Sequence, residues 1–337
     1  MGDQAARTSE RSGAEWKRVL APYRAAHTPT AVWQLVNTVI PAALLWLLML
    51  LSLEIHYGLT LLLAIPAALL RLRMFVLQHD CGHRSFLGSR LANDVVGRML
   101  SIATLTPYAY WRLAHAQHHA TSGNLDRRGL GDIDILTVDE YLKLSRFKRL
   151  VYRIYRHPFV LFGLGGPIQF IVLHRFPYAL PKPRRRAWAS VMTTNLCLAA
   201  VVVMLGSWVG YGALLLIEFP VIFGAANFGI WIFYAGHNFE VAYWARQESW
   251  DARAASLAGS SLLELPSWLQ RTLGHIGLHH IHHLSSSIPN YRLMECHRAM
   301  PNLSASRLSV RAALASTRLG LWDETQQRAI RFSQLPG

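Results

Sequence analysis

Two long apolar blocks without a basic residue constrain the fold of this 337-residue chain more than any other feature. Residues 31–70 contain no Lys, Arg or Asp, and residues 187–245 contain no Lys or Arg. A helix needs about 20 apolar residues to cross roughly 30 Å of hydrocarbon. Each block is therefore long enough for two spans joined by a short turn. We predict spans near residues 32–52, 58–77, 188–208 and 212–235.

The segments between and after these blocks are too polar or too interrupted to cross a membrane. Residues 93–111 are only moderately apolar, and residues 158–180 contain Gly163, Gly165, Gly166 and Pro167. Segments of this kind can lie in the membrane interface as amphipathic helices. The predicted fold is an all-α integral membrane protein with four transmembrane helices, interfacial helices and a cytoplasmic histidine-rich cap.

The basic residues fix the expected orientation. Of the 34 Lys and Arg residues, none lies in the turns that join the paired spans. The positive-inside rule then places both termini, the segment between the two apolar blocks and the histidine-rich cap in the cytoplasm, as expected for a bacterial inner-membrane protein. The net charge of +15, with Pro-Lys-Pro-Arg-Arg-Arg at 181–186, predicts anchoring to anionic lipid headgroups. It would also suit an acidic partner protein. Nucleic acid is excluded as a partner because no recognition motif accompanies the charge.

The polar residues at the two ends of the sequence set the predicted domain limits. Residues 1–30 are polar and lack the apolar core of a signal peptide, which predicts a cytoplasmic tail. We place the main domain at 31–305 and a C-terminal cytoplasmic tail at 306–337. The three cysteines show no paired spacing, and we expect Cys81 and Cys296 to remain reduced thiols in the cytoplasm.

Three histidine clusters carry the chemical information. They are HDCGH at 79–83, HAQHH at 115–119 and HHIHH at 279–283. On a helix, spacings of i, i+3 and i+4 place side chains on one face. Imidazole groups suit iron, zinc or copper, and eight of them exceed the four ligands of one tetrahedral ion. The count predicts two metals. The eight candidates are His79, His83, His115, His118, His119, His279, His282 and His283.

The other histidines are weaker candidates. His237 directly follows the fourth predicted span in YAGHNFE, which makes it a ninth candidate. His280 lies off the shared face of its cluster, and His275 stands one turn before His279. Isolated histidines are most often packing or capping residues. That interpretation is assigned to His27, His56, His157, His174 and His297.

A metal-buffering tract and a transporter site both fit the clusters less well than a built metal centre. Metal-buffering histidine tracts are repetitive and flexible, whereas these clusters differ in sequence and are interleaved with apolar residues. A transporter would carry its ion-binding groups inside the spans near the midplane, yet the spans contain essentially no acid or histidine except Glu218.

The segments HDCGHRSF, WRLAHAQHHATSGNLDRRGLGD, HNFEVAYWARQESWD and GHIGLHHIHHLSSSIPNYRLMECH resemble the membrane fatty acid desaturases. The resemblance runs from about residue 75 to about 300. It is greatest to the omega-6 (delta-12) acyl-lipid branch of bacteria, cyanobacteria and plants. It implies a non-heme di-iron centre that uses O2 and two electrons to introduce a cis double bond into a long acyl chain. The implied ligands are the eight cluster histidines and His237.

The resemblance also guides the expectations for neighbouring groups. Carboxylates or amides could orient the imidazoles through their other ring nitrogen, although each could equally be a helix cap or a surface residue. Phe233 stands where the animal acyl-CoA branch has Asn, and His275 where the family has Asn. No HPGG motif of a fused cytochrome b5 occurs, which implies an external donor, ferredoxin or alternatively cytochrome b5. The orienting candidates are Asp80, Asn124, Asp126, Asp132 and Glu240.

Three alternatives remain open at the level of sequence. A fatty acyl hydroxylase of the same fold would share the ligands and differ in product mass, because it adds an oxygen. A desaturase-fold oxygenase could act on another lipid, such as a carotenoid or a sphingolipid. A non-enzymatic membrane protein could hold zinc in place of iron, which metal analysis and O2 consumption would distinguish.

Overall fold

The computed structural model describes residues 13–335 except 130, 179, 181–184, 302 and 304. After a short helix α1 (Gly13–Leu20), four long apolar helices could each cross a membrane. The prediction of four membrane-spanning helices is confirmed. The spans are α2 (Thr28–Ser52), α3 (Tyr57–His83), α8 (Arg185–Val209) and α9 (Tyr211–His237).

Two spans end later than we predicted from hydropathy. The helix predicted to end near residue 77 continues to His83, and the one predicted to end near 235 continues to His237. The last turns of α3 contain polar side chains, of which Gln78 and Asp80 are nevertheless buried. A span predicted from hydropathy ends at such residues. The helix α3 itself continues to His83 and ends where Arg84 adopts a left-handed φ of 58°. At both ends that carry histidines the helix therefore extends beyond the predicted span.

The two segments predicted to be interfacial are both helical, but the first is more regular than the second. Residues 93–111 divide into α4 (Arg90–Ala103) and α5 (Tyr108–Thr121), separated by a short turn. Gly97 allows the ring of Tyr108 to pack against α4, because a Cβ atom there would lie 2.2 Å from the ring.

The second segment is less regular. α7 (Arg146–Tyr155) is followed by Val160–Arg175, a run of π, α and 3₁₀ turns bent by 54° from α7. Counted as one broken span, the pair would raise the number of spans to five. Gly166 allows this segment to approach α9 closely, since a Cβ atom there would lie 2.7 Å from the backbone of Ala226. Gly166 therefore serves the packing of this segment against α9.

Short helices and two small sheets form the cap at the end of the spans where the histidines lie. In one sheet β1 (Leu136–Thr137) pairs parallel with β4 (Leu321–Asp323), which pairs antiparallel with β5 (Arg328–Ile330). In the other, β2 (Ser261–Glu264) pairs parallel with β3 (Ser306–Ser309). The cap helices are α6 (Val138–Lys143), α10 (Ala252–Ala258), α11 (Ser267–Thr272), α12 (His279–Leu284), α13 (Asn290–Ala299) and α14 (Val310–Ser316).

The C-terminal residues, predicted as a tail from 306, are folded into this cap. Trp322 and Ile330 are each 1% exposed. Arg156 ties the segment down, because its guanidinium donates to the backbone oxygens of Asp134 (3.0 Å) and Leu319 (2.8 Å) and to the hydroxyl of Tyr234 (2.9 Å). Residues 1–12 of the predicted N-terminal tail and residues 181–184 of the basic run lie outside the described residues.

Candidate metal centre

The nine histidines proposed from the sequence come together where the spans meet the cap. α3 and α9 carry theirs in their last turns, and α5 and α12 carry the other six. They separate into two groups, in each of which the ring nitrogens lie within 4.8 Å of one another. The five-histidine group comprises His79, His83, His115, His119 and His282, and the four-histidine group comprises His118, His237, His279 and His283.

The ring nitrogens of the five-histidine group converge. The Nε2 atom of His115 lies 3.0 Å from that of His83 and 3.1 Å from that of His119. The Nε2 atom of His282 lies 3.0 Å from that of His119. Neutral imidazole has one lone pair and one N–H, so nitrogens this close cannot all be satisfied by one another. A shared metal ion would satisfy them together.

The ring nitrogens of the four-histidine group also converge, and this group lies next to the five-histidine group. Nε2 of His279 lies 2.8 Å from Nε2 of His237, and Nε2 of His118 lies 3.3 Å from Nε2 of His283. The ring of His119 stacks on the ring of His283, with centroids 4.2 Å apart and planes inclined by 21°. The arrangement fits two metal ions that are close neighbours.

Hydrogen bonds at the opposite ring nitrogen fix which atom can bind a metal. Nδ1 of His237 lies 3.0 Å from the backbone oxygen of Gly259. A carbonyl can only accept a hydrogen bond, so the proton is on Nδ1 and Nε2 keeps its lone pair. His118 makes the equivalent bond from Nδ1 to the carboxylate of Asp132. Metal-binding histidines almost always show this second interaction.

Burial keeps the imidazoles neutral. For the cap-side histidines His115, His119, His279, His282 and His283, burial and then the neighbouring imidazoles lower the pKa well below its ordinary value. Metal binding requires the neutral ring. At neutral pH these side chains are therefore in the form that a metal binds.

The five predicted orienting residues do not all lie beside histidines. Asp132 contacts His118, and Asp80 lies 3.2 Å from Nδ1 of His79 through Oδ1. Oδ2 of Asp80 accepts from the backbone and side-chain nitrogens of Asn290, at 2.6 and 2.9 Å. The other three bond elsewhere: Asn124 to Gln247, Asp126 to Arg246, and Glu240 to Arg328.

Three residues at the site were missed from the sequence. Trp111 stacks on His115, with centroids 4.5 Å apart and planes inclined by 16°, and the i, i+4 spacing in WRLAH could have indicated it. Asn290 anchors Asp80 and stands in the family-like IPNYRL segment. Gly259 contributes only its backbone oxygen, for which a sequence gives no signal. Among the described residues, His275 and His280 belong to neither histidine group.

A mostly apolar cavity of about 500 Å³ lies against the histidines. His79, His115 and His279 line one part of it, together with Phe233, whose ring centroid lies 5.1 Å from that of His118. Pockets that bury an apolar ligand are typically of this size and lining. The remaining walls include Leu72, Phe75, Val76, Ile222, Ala225, Ile230 and Ile276.

Asp132 provides a test of the orienting contacts. Its Oδ2 atom is buried without a hydrogen-bond partner among the described residues, so its charge is directed to His118. We expect Asp132→Asn to weaken metal binding by about 10- to 100-fold, the usual effect of losing such a partner. Iron titration of purified protein measures this. Asp126→Asn is the matched control because Asp126 is bonded to Arg246 instead, and equal losses in both variants would contradict the assignment.

The model of the family described as fatty acid desaturase matches residues 55–312. The chain belongs to this family. Membership makes it an oxidoreductase and accounts for an apolar cavity beside clustered histidines in a protein with four membrane-spanning helices. The resemblance inferred from the histidine segments is confirmed.

Relatives cover the desaturase chain to different extents. A fatty acid desaturase of Bacillus subtilis is 38% identical over 93% of this chain and 89% of its own length. An sn-1 oleoyl-lipid 12-desaturase of Synechocystis is 28% identical over 67% of this chain and 64% of its own length. An sn-1 acyl-lipid omega-3 desaturase (ferredoxin) of the same organism is 30% identical over 67% and 63%. The latter two are thus matched over less than two thirds of their length.

Proposed function

We propose that this desaturase introduces a cis double bond into an acyl chain of a membrane lipid, using two iron ions held by the nine histidines. The convergence of nine buried imidazoles on two adjacent points supports this most strongly. Bound iron would supply the O2-dependent removal of one hydrogen from each of two adjacent methylenes. The balance is one O2, two electrons and two protons consumed, and two water molecules formed.

The chain's own residues have distinct parts in this proposal. Asp132 and the backbone oxygen of Gly259 hold two imidazoles by Nδ1, which would leave Nε2 free to bind a metal. Leu72, Phe75 and the other apolar walls would exclude water and align the acyl chain beside the histidines. Phe233 packs against the rings of His118 and His237, which restricts their rotation.

For the finer assignments we propose position 12 of an oleoyl chain, as in the name of the Synechocystis relative, and ferredoxin as donor, as in the name of another. The basic chain, with a net charge of +15, suits an acidic donor protein. We further propose that both termini and the metal centre face the cytoplasm of a bacterial inner membrane, in accordance with the positive-inside rule.

The proposed reaction is tested by expressing the chain in a host that has oleoyl lipids and ferredoxin. Mass spectrometry of the fatty acids should detect a species lighter by two hydrogens, and derivatisation should locate the new double bond at carbon 12. A double bond elsewhere would contradict the position but not the reaction. A species heavier by one oxygen would indicate a hydroxylase, and no new species with iron and donor present would contradict an acyl substrate.

Removing the metal should abolish the reaction reversibly. We expect a chelator to eliminate O2-dependent product, and Fe²⁺ to restore it at two ions per chain. Two ions are expected because the ring nitrogens of each histidine group converge on a separate point. Metal analysis with an O2 electrode measures both quantities. Restoration by Zn²⁺, which has no redox chemistry, would contradict an oxidative role for the site.

A further inference from the structure

The apolar cavity extends from the histidines into the spans and stops at the same level on two of them. On α3 the lining residues run from His79 back to Arg71, and on α9 they run back to Ile222. Eight residues of helix separate Arg71 from His79, which is about 12 Å. One turn beyond Ile222 on α9 stands Glu218. The cavity therefore ends where a charged residue stands on each helix.

These two charges form an ion pair fixed by a third span. A guanidinium nitrogen of Arg71 lies 2.7 Å from Oε2 of Glu218, and Nε1 of Trp46 donates to Oε1 at 3.0 Å. Trp46 in turn stacks on Trp208, with centroids 6.3 Å apart and planes inclined by 15°. Side chains from all four spans thus meet behind the end of the cavity.

An ion pair at this position requires a functional explanation. Charged residues inside spans are expensive, and an apolar pair of similar volume would hold the helices together without that cost. A methyl group cannot displace the pair, since separating the charges in apolar surroundings costs far more than an apolar contact returns. Leu or Met at the same place would give way by changing rotamer. The pair is therefore a rigid stop.

We propose that the Arg71–Glu218 pair is the closed end of the acyl cavity, and that the methyl end of the substrate rests against it. The distance from the pair to the histidine groups would then select the carbon pair that is oxidised, counted from the methyl end. This inference rests on the proposed function and adds to it the residues that determine specificity.

The surroundings of the two ends favour this direction of binding. Next to the ion pair the walls are apolar, with Leu72, Ile222 and Ala225, and the charge of Arg71 is already neutralised by Glu218. The exposed lining residues Gly129 and Tyr178 stand in the loops at the other end. A polar ester or headgroup would lose its hydration at the closed end and keep it at the exposed one.

Deepening the cavity tests the inference directly. The double variant Arg71→Met, Glu218→Gln removes both charges together, and the amide oxygen can still accept from Trp46. We expect the methyl end to move further in, so that the double bond shifts towards the carboxyl end by one or more carbons. The ratio of shifted to original product should change by at least about tenfold, because one methylene more or less in an apolar pocket alters relative rates by about 10- to 200-fold.

Arg73→Met is the matched control for this variant. Arg73 stands on the same span and bonds Asn37 at 2.7 Å, but it is not among the residues that line the cavity. Its product should keep the wild-type position. A shift of the same size in Arg73→Met would overturn the inference, because it would show that the position responds to any loss of charge in α3.

Filling the cavity should have the opposite effect. Ala225 is buried, lines the cavity and belongs to the same apolar cluster as Leu72. Ala225→Val should move the double bond towards the methyl end or favour shorter chains, and it introduces no unpaired charge. Membrane level and iron content identify folded protein. Unchanged positions in both cavity variants would overturn the inference; a wild-type chain without unsaturated product would overturn the proposed function and this inference with it.

Discussion

His118→Ala and His282→Ala are each expected to abolish unsaturated product while the chain still inserts into the membrane. The two residues belong to different histidine groups, so each substitution damages only one of the two metal positions. A two-iron reaction fails when either ion is lost. Product analysis by mass spectrometry, together with iron content, measures the effect, and we expect about one iron per chain to remain in each variant.

The control for these variants is an exposed histidine outside both groups. His157 is exposed and bonds only its local backbone in the described structure, through Nδ1 to the amide of Phe159. His157→Ala should keep both product and iron at the wild-type level. Wild-type product from either cluster variant would contradict the di-iron proposal, and a loss of both irons would contradict the division into two separate groups.

Arg156→Met should cause the largest loss of stability outside the metal centre. Arg156 is 3% exposed, and its guanidinium is the donor for the backbone oxygens of Asp134 and Leu319. The substitution removes three hydrogen bonds donated by a buried guanidinium, and a hydrogen bond to a charged group contributes about 1.5–3 kcal/mol. We expect the apparent unfolding temperature in detergent to fall by at least roughly 5 °C.

The loss should be concentrated in the C-terminal part of the cap. Leu319 lies between α14 and β4, so residues beyond it should become more accessible to protease in the variant. Lys148→Met is the control, since Lys148 is an exposed cation on the same helix that precedes Arg156. An Arg156→Met protein as stable and as protease-resistant as wild type would contradict the role of this contact.

The pattern of histidines predicts the set of side chains that meet but not how they divide. Spacings of i, i+3 and i+4 place His115, His118 and His119 on one face of α5, as they do in the structure. His118 nevertheless belongs to one group and its two neighbours to the other. Helix periodicity gives the direction of a side chain, whereas the division depends on how α3, α9 and α12 approach α5.

The spans were predictable because hydrocarbon imposes a minimum length on apolar helices. Their ends at His83 and His237 were not, since hydropathy does not indicate that polar side chains such as Asp80 and His237 are buried within the protein. The same reason explains the C-terminal segment: Trp322 is buried by contacts with residues more than a hundred positions away, which local composition does not encode. The orienting role predicted for Asn124, Asp126 and Glu240 rested only on their proximity to the histidines in the sequence.

If the histidine groups hold metal as proposed, their placement determines when during biosynthesis the metal can be acquired. His118 and His283 belong to one group and are 165 residues apart, with two spans between them. A ribosome must therefore release nearly the whole chain, and the translocation machinery must insert all four spans, before either group is complete. Under the di-iron proposal iron loading would then be a late step, and a truncated product that lacks α12 would keep its spans in the membrane without completing either histidine group.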